Sequence, residues 1–454
     1  MKKSLVLMAM AGITMTGCIA DKEYEYSLQK EQTKITFGTP LMYDNNVESR
    51  AIYHGEINTF TYGSAVRSYP REEEFVIFAV KYPDNITFPG WEDNDVELAL
   101  FNGVTAKRDP SLDGWVPLKT GGDDPYYYWP ANKKIAYAAC SPADLEQAED
   151  WNYQTNRTYG AEGLTITDFV VPSLSENHFD LLFSKRAMDK TKQDMQGTAD
   201  KYSGAPIEFQ HALSSIHFSL LNESESTVVL QKISLYGVNS KGTFKENITE
   251  ENEDDGNIYL TYNTTSSGNV APEWTGQSVV VSDELAYIAF DATAKDEDDN
   301  ELYSGLIFPE NAQYISSMMA EEGNENAGIN HVLLLLPQTL PYTATLRVDY
   351  KVINGNNTTT AHKIVSLNNA PKLDAVTNKP STDPNLIINE WKLGTKYTYR
   401  LVYSSAAAKA DKIYFAPQTD SWIDAGVAVI DLAGAASVSP SDDEENNDPE
   451  GGES

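Results

Sequence analysis

The chain has 454 residues, 41% hydrophobic and 11% aromatic, which supplies cores for roughly two or three domains. Its 34 Lys plus Arg stand against 67 Asp plus Glu, a net charge of -33. A field of that sign repels polyanions over about a Debye length, which sets aside nucleic acid and anionic membrane surfaces as partners.

The chain opens MKKSLVLMAMAGITMTGC. Lys2 and Lys3 form a charged start, and Ser4 to Thr16 form an apolar stretch too short to span a bilayer. Residues 1–17 therefore read as a signal peptide, ending Met15-Thr16-Gly17-Cys18 in the manner of a bacterial lipobox, with Met in the usual Leu position. On that reading Cys18 becomes the lipidated N-terminus, and two or more acyl chains hold it stably on a membrane. The acidic run from Asp21 to Glu25 resembles an export tag to the outer face. Cys140, in KKIAYAACSP, is the one cysteine left, and its apolar neighbours predict a buried thiol rather than a disulfide.

Strand signals fill the rest. Phe75 to Tyr82, Ile135 to Cys140, Leu164 to Val171, Ile216 to Leu221, Thr227 to Val238, Ala344 to Val352 and Tyr397 to Tyr403 are rich in Val, Ile, Tyr and Phe between Gly, Pro, Asn and Asp clusters. Alternation in IHFSL and YTYRLVY predicts half-buried antiparallel strands. Two short helices are expected, one at SPADLEQAEDW with Ser141 as N-cap and one from Glu310 in ENAQYISSMMAEE. The pattern predicts an all-β chain of sandwiches. A polar stretch ending near 205 suggests a boundary, giving one unit over 51–205 and another over 206–432. The acidic tail, 433–454, has the composition of a disordered segment.

Chemistry-bearing motifs are scarce. Acid clusters at Glu92 to Asp95, Glu253 to Asp255 and Asp296 to Asp299 lack the glycine and distal glutamate of an EF-hand loop and read as solvated turns. The six histidines have no metal-ligand spacing, and no nucleophile elbow, P-loop or dinucleotide fingerprint is present. No catalytic residue, cofactor or metal is expected, and the chain reads as a non-enzyme. A carboxylate pair for glycoside hydrolysis leaves no local spacing, so that reading stays open.

Several segments in order resemble the fimbrillins, subunits of type V pili: the lipobox signal followed by a strand and Arg50-Ala51, YYYWPANKKIAYAACSP, IEFQHALSSIHFSL, LLLLPQ, and WKLGTKYTYRLVY followed by KIYFAPQTDSW. The resemblance covers nearly the whole chain. It implies two tandem Greek-key β-sandwiches of transthyretin-like topology, a lipidated precursor at the cell outer membrane, and a trypsin-like surface protease that cuts at Arg50-Ala51. It further implies that residues 18–50 leave with the first strand, and that a strand from another pilus subunit fills the groove in a cell-surface fimbrium serving adhesion.

Ile35, Phe37, Leu41 and Tyr43 share one parity, so 33–44 reads as a removable strand that seals the N-terminal sandwich. Its loss leaves an apolar slot and an unpaired sheet edge, and a replacement burying four or five apolar side chains gains about 10 kcal/mol before ordering costs. Head-to-tail exchange of this kind does not close on itself and builds a filament. The candidate donor is 423–438, with Val427 and Val429 on one face and Ile430 and Leu432 on the other; the same segment also reads as the last strand of the C-terminal sandwich. Two alternatives stand beside the shaft subunit: a tip or accessory pilin that accepts but does not donate, and a monomeric surface lipoprotein binding glycans through exposed aromatics.

Overall fold

A computed structural model describes residues 34–37, 41–43, 52–53, 56–57, 66–68, 74–110, 114–121, 124–145, 156–192, 205, 207–252, 258–262, 272–279, 286–292, 305–319, 331–368, 370–371, 387–404, 413–414 and 423–431. The expectations for Cys18, Arg50, Ala51, Leu432 and the acidic tail lie outside these residues.

The described chain is all-β. In the first part run β1 (Leu41–Tyr43), β2 (Val66–Ser68), β3 (Phe75–Pro83), β4 (Glu97–Asp109), β5 (Gly114–Pro117), β6 (Lys133–Ser141), β7 (Asn156–Gly160), β8 (Gly163–Val170), β9 (Leu182–Ser184), β10 (Ala187–Lys190) and β11 (Glu208–His211). There follow β12 (Ser214–Asn222), β13 (Thr227–Tyr236), β14 (Lys241–Lys245), β15 (Ile248–Asn252), β16 (Ile258–Tyr262), β17 (Glu273–Ser278) and β18 (Tyr287–Asp291). The chain continues through the short helix α1 (Ile315–Met319), β19 (Leu333–Leu335), β20 (Thr345–Asn354), β21 (Asn357–Ser366), β22 (Thr395–Tyr403), β23 (Ile413–Tyr414) and β24 (Ile423–Asp431).

One nine-stranded sheet has the order β2-β1-β11-β9-β6-β3-β4-β5, with β10 also on β6. Its central strand β3 is buried on both faces, which explains the unbroken apolar run FVIFAVKY. Phe75, Ile77 and Ala79 enter a smaller core with Ile135, Tyr137 and Trp115. The opposite parity, Val76, Phe78, Val80 and Tyr82, enters a larger core with Leu164, Ile166, Phe169, Phe244 and Trp274. Those last residues come from a four-stranded sheet, β17-β14-β8-β7, that takes β7 and β8 from before residue 205 and β14 and β17 from after it.

The second part stacks β12, β22, β24 and β23 against the sheet β18-β13-β20-β21. Ile216, Phe218, Leu220, Tyr397, Tyr399 and Leu401 face Val228, Leu230, Ile233, Leu346 and Val348 in the larger core. Here the expectation of half-buried antiparallel strands needs correction. β12 and β22 pair in parallel, Ser215 opposite Lys396 through Asn222 opposite Tyr403. Their polar face is also largely covered, with Ser215, Ser219, Lys396 and Thr398 all buried. The two-residue strand Gln313–Tyr314 pairs with β12, and Tyr314 lays its ring 5.0 Å from the Lys396 ammonium.

Of the two expected helices, the second is present as α1, starting at Ile315 rather than near Glu310. The first does not start at Ser141, which ends β6 instead. The carbonyls of Pro142 and Ala143 accept hydrogen bonds from the Arg157 guanidinium, at 2.8 and 2.6 Å. Cys140 is buried as expected, with the same guanidinium 3.4 Å from its Sγ.

Candidate functional site: the strand that closes the smaller core

Residues 34–37 lie between two borders of the nine-stranded sheet. Phe37 pairs antiparallel with Trp115 of β5 and in parallel with Ala205, just ahead of β11. The amide of Phe37 donates to the Trp115 carbonyl at 2.7 Å and the Trp115 amide returns a bond to the Phe37 carbonyl at 2.8 Å. Ile35 N–H donates to the Tyr127 carbonyl and Ala205 N–H donates to the Thr36 carbonyl, each at 2.8 Å. A four-residue segment thus satisfies backbone groups on three separate pieces of chain.

Its side chains alternate as a strand requires. Ile35 and Phe37 are 1% and 0% exposed, whereas Thr36 between them is half-buried. The Phe37 ring meets Tyr137, Phe75 and Phe101 edge to face, with centroids 5.2, 6.4 and 6.5 Å away. At the outer end, Lys34 sits across from Tyr128 and holds its ammonium 3.4 Å from the centre of the Tyr126 ring. The Tyr126 hydroxyl donates to Asp109 at 3.0 Å, and that carboxylate raises its pKa. Lys119 stands 5.4 Å from the Tyr127 ring and completes a basic and aromatic rim.

Leu41 and Tyr43 fall in β1, farther along the border that Phe37 meets at Ala205. Leu41 lies opposite Glu208 and Met42 opposite Phe209 of β11 in parallel, while Tyr43 lies opposite Val66 of β2. Residues 34–37 and 41–43 therefore follow the β11 border in turn, with 34–37 also bonded to β5 and β1 also paired with β2. Of the candidate donor, Val427, Val429 and Ile430 lie in β24, opposite Thr398, Arg400 and Leu401 of β22. β24 is one of the chain's own sheet strands, flanked on its other side by β23. The partnership of Lys34 with Tyr126, and of Phe37 with Trp115 and Ala205, is absent from the sequence reading. The run Tyr126-Tyr127-Tyr128-Trp129 is a visible signal, but nothing in its local pattern names the segment that covers it.

A second polar cluster lies where the two parts of the chain meet. Arg186, 5% exposed, stacks its guanidinium over Trp91, Tyr159 and Phe88 at 4.7, 5.2 and 5.7 Å. It donates to the carbonyls of Gly160 and Ala161 at 2.7 and 3.0 Å and pairs with Glu250 of β15. Glu250 also accepts the Trp91 amide at 3.0 Å. Nearby Glu246 is fully buried and accepts the Leu164 amide at 2.9 Å. Gly163 beside it has φ +87°, and a Cβ there would lie 2.5 Å from the Glu246 carboxylate.

Burial pushes the Glu246 carboxyl up to about 7, against the Leu164 amide and the Arg186 charge, which pull it down. The folded chain therefore holds this proton more tightly than the unfolded chain. The stability it contributes is complete below the ordinary value of 4.5 and is lost as pH rises to about 7. Glu246→Gln keeps an acceptor without the charge, so the variant should exceed the parent by about 2–3 kcal/mol at pH 8 and differ little at pH 4. Urea titrations at both pH values read this directly, and a difference that ignores pH would refute the assignment.

His178 and His211 are held by structural contacts. His178 bridges the Pro172 carbonyl at 2.7 Å and the Leu334 amide at 2.8 Å, and burial lowers its pKa to about 4. His211 pairs with Asp180 at 2.7 Å, both buried. Asp93 caps the Asp95 amide at 2.9 Å, an ordinary turn contact within one of the acid clusters. Among the described residues, no three His, Cys, Asp or Glu side chains gather as a metal site would require.

No protein family matches the sequence, and no curated protein matches it. Solved structures do align. A candidate cell adhesion protein of Bacteroides uniformis is 9% identical, with 74% of this chain and 98% of that chain covered and a TM-score of 0.29. One of Bacteroides ovatus is 11% identical over 74% and 88%, with a TM-score of 0.31. One of Parabacteroides distasonis is 11% identical over 86% and 98%, with a TM-score of 0.27. This chain is similar to them at a level that carries no argument about activity or assembly.

Proposed function

We propose that the chain is a structural pilus subunit serving cell adhesion, not an enzyme. It is exported to the outer membrane as a lipoprotein acylated at Cys18, then polymerised on the cell surface by strand exchange after a trypsin-like protease cuts Arg50-Ala51. The single observation that carries this reading is the placement of 34–37. A short segment near the N-terminus, joined onward through the Arg50 region, plugs an apolar core with two fully buried side chains and four backbone hydrogen bonds. Severed from the body, such a segment holds only by local contacts, and its departure leaves a ready-made edge for an extended strand.

Digestion of the full chain with an arginine-specific protease tests this. The large fragment should begin at Ala51, and oligomers should persist through electrophoresis of unboiled samples. A chain cut completely after Arg50 that stays monomeric at high concentration would overturn the reading. The pairing of β24 inside its own sheet favours a second reading, a tip or accessory subunit that accepts without donating. Such a subunit would cap oligomers of a donor subunit and form none alone.

A further inference from the structure

The plug reads Lys34-Ile35-Thr36-Phe37, and the chain contains five Lys-Ile pairs, beginning at 34, 134, 232, 363 and 412. Only two are followed by one residue and then Phe: the plug itself and Lys412-Ile413-Tyr414-Phe415. Resting on the strand-exchange reading, we propose that residues 412–415 of a second copy are the strand that replaces 34–37, in the same register.

Each position of the socket selects for this sequence. The first places an ammonium 3.4 Å from the Tyr126 ring centre, a site that favours Lys or Arg. The second buries Ile35 to 1% and takes its amide proton to Tyr127. The third is half-buried and opposite in parity, so Tyr fits where Thr stands, with its bulk directed away from the core. The fourth encloses a flat ring among Tyr137, Phe75 and Phe101 and bonds both backbone groups to Trp115. None of residues 412–415 is proline, so every amide the socket uses is present.

The segment 423–438 meets these demands poorly. It has neither a cation nor an aromatic residue, so the Tyr126 face and the Phe37 socket would go unfilled. Placement in the fold points the same way. β24 lies between β22 and β23, with register pairs running from Thr395 to Val402. Among the described residues, β23 ends the sheet order and pairs Ile413 with Ile430 and Tyr414 with Val429.

Synthetic peptides separate the possibilities. The full chain is cut after Arg50 with an arginine-specific protease, the protease is inhibited, and peptide 409–418 or peptide 423–438 is added in excess. Peptide 409–418 should block oligomers and stay on the cleaved chain through unboiled electrophoresis, whereas 423–438 should do neither. In peptide 409–418, Phe415→Ala should weaken capture about 100-fold and Lys412→Ala about two- to fivefold. Blocking by 423–438 alone, or equal capture of the Phe415→Ala peptide, would overturn this assignment and leave strand exchange standing. A cleaved chain that forms no oligomer and holds neither peptide would overturn both.

Discussion

Phe37→Ala should cost the uncleaved chain about 4 kcal/mol of unfolding free energy. The side chain is 0% exposed and its ring contacts three other rings, so the truncation removes transfer energy and leaves a cavity bounded by stiff aromatics. Collapse into that space is hindered because Tyr137 and Phe75 belong to β6 and β3, the centre of the nine-stranded sheet. The shift appears as a lower urea midpoint with the slope retained. After cleavage at Arg50, the same variant should lose residues 18–50 faster than the parent and oligomerise sooner, since its resident strand competes less well with an incoming one. An unchanged midpoint, or slower assembly, would mean that 34–37 does not seal the core.

The second large effect belongs to Arg186. Arg186→Met should destabilise the chain by about 3 kcal/mol, because it leaves Glu250 partly buried without its counter-charge and strips hydrogen bonds from the Gly160 and Ala161 carbonyls. Methionine retains packing against Trp91 and Tyr159, so the loss measured is chiefly polar. The double variant Arg186→Met with Glu250→Met should recover a good part of it, since no carboxylate is then stranded. A double variant as unstable as the sum of the two singles would show that the residues act independently.

Much of this was legible in the amino-acid order. The unbroken apolar run of β3 announces a strand buried on both faces, and the parity of Ile35 and Phe37 announces a segment with one side in a core. Ser141 misleads, because Ser-Pro followed by acids has the local chemistry of a helix start. The competing pull there is non-local: β3 and β9 claim the backbone up to Ser141, and Arg157 claims the carbonyls beyond. IHFSL and YTYRLVY mislead differently. Alternation assigns the two faces correctly, but it cannot tell that Tyr314 and its neighbours return to cover the polar one. The Lys34 and Tyr126 contact was hidden for the same reason, since its partners lie about ninety residues apart in the chain.

The sheet β17-β14-β8-β7 has a mechanical meaning. Ile166 lies opposite Phe244 and Val170 opposite Lys241, so the seam between the earlier and later parts of the chain is itself a hydrogen-bonded ladder, reinforced by Arg186 and Glu250. A string of beads under tension yields first at a flexible joint, and among the described residues this seam is a ladder rather than a joint. Tension would have to tear a row of backbone bonds together rather than swing a hinge, so both parts should melt in one calorimetric peak and yield as one unit.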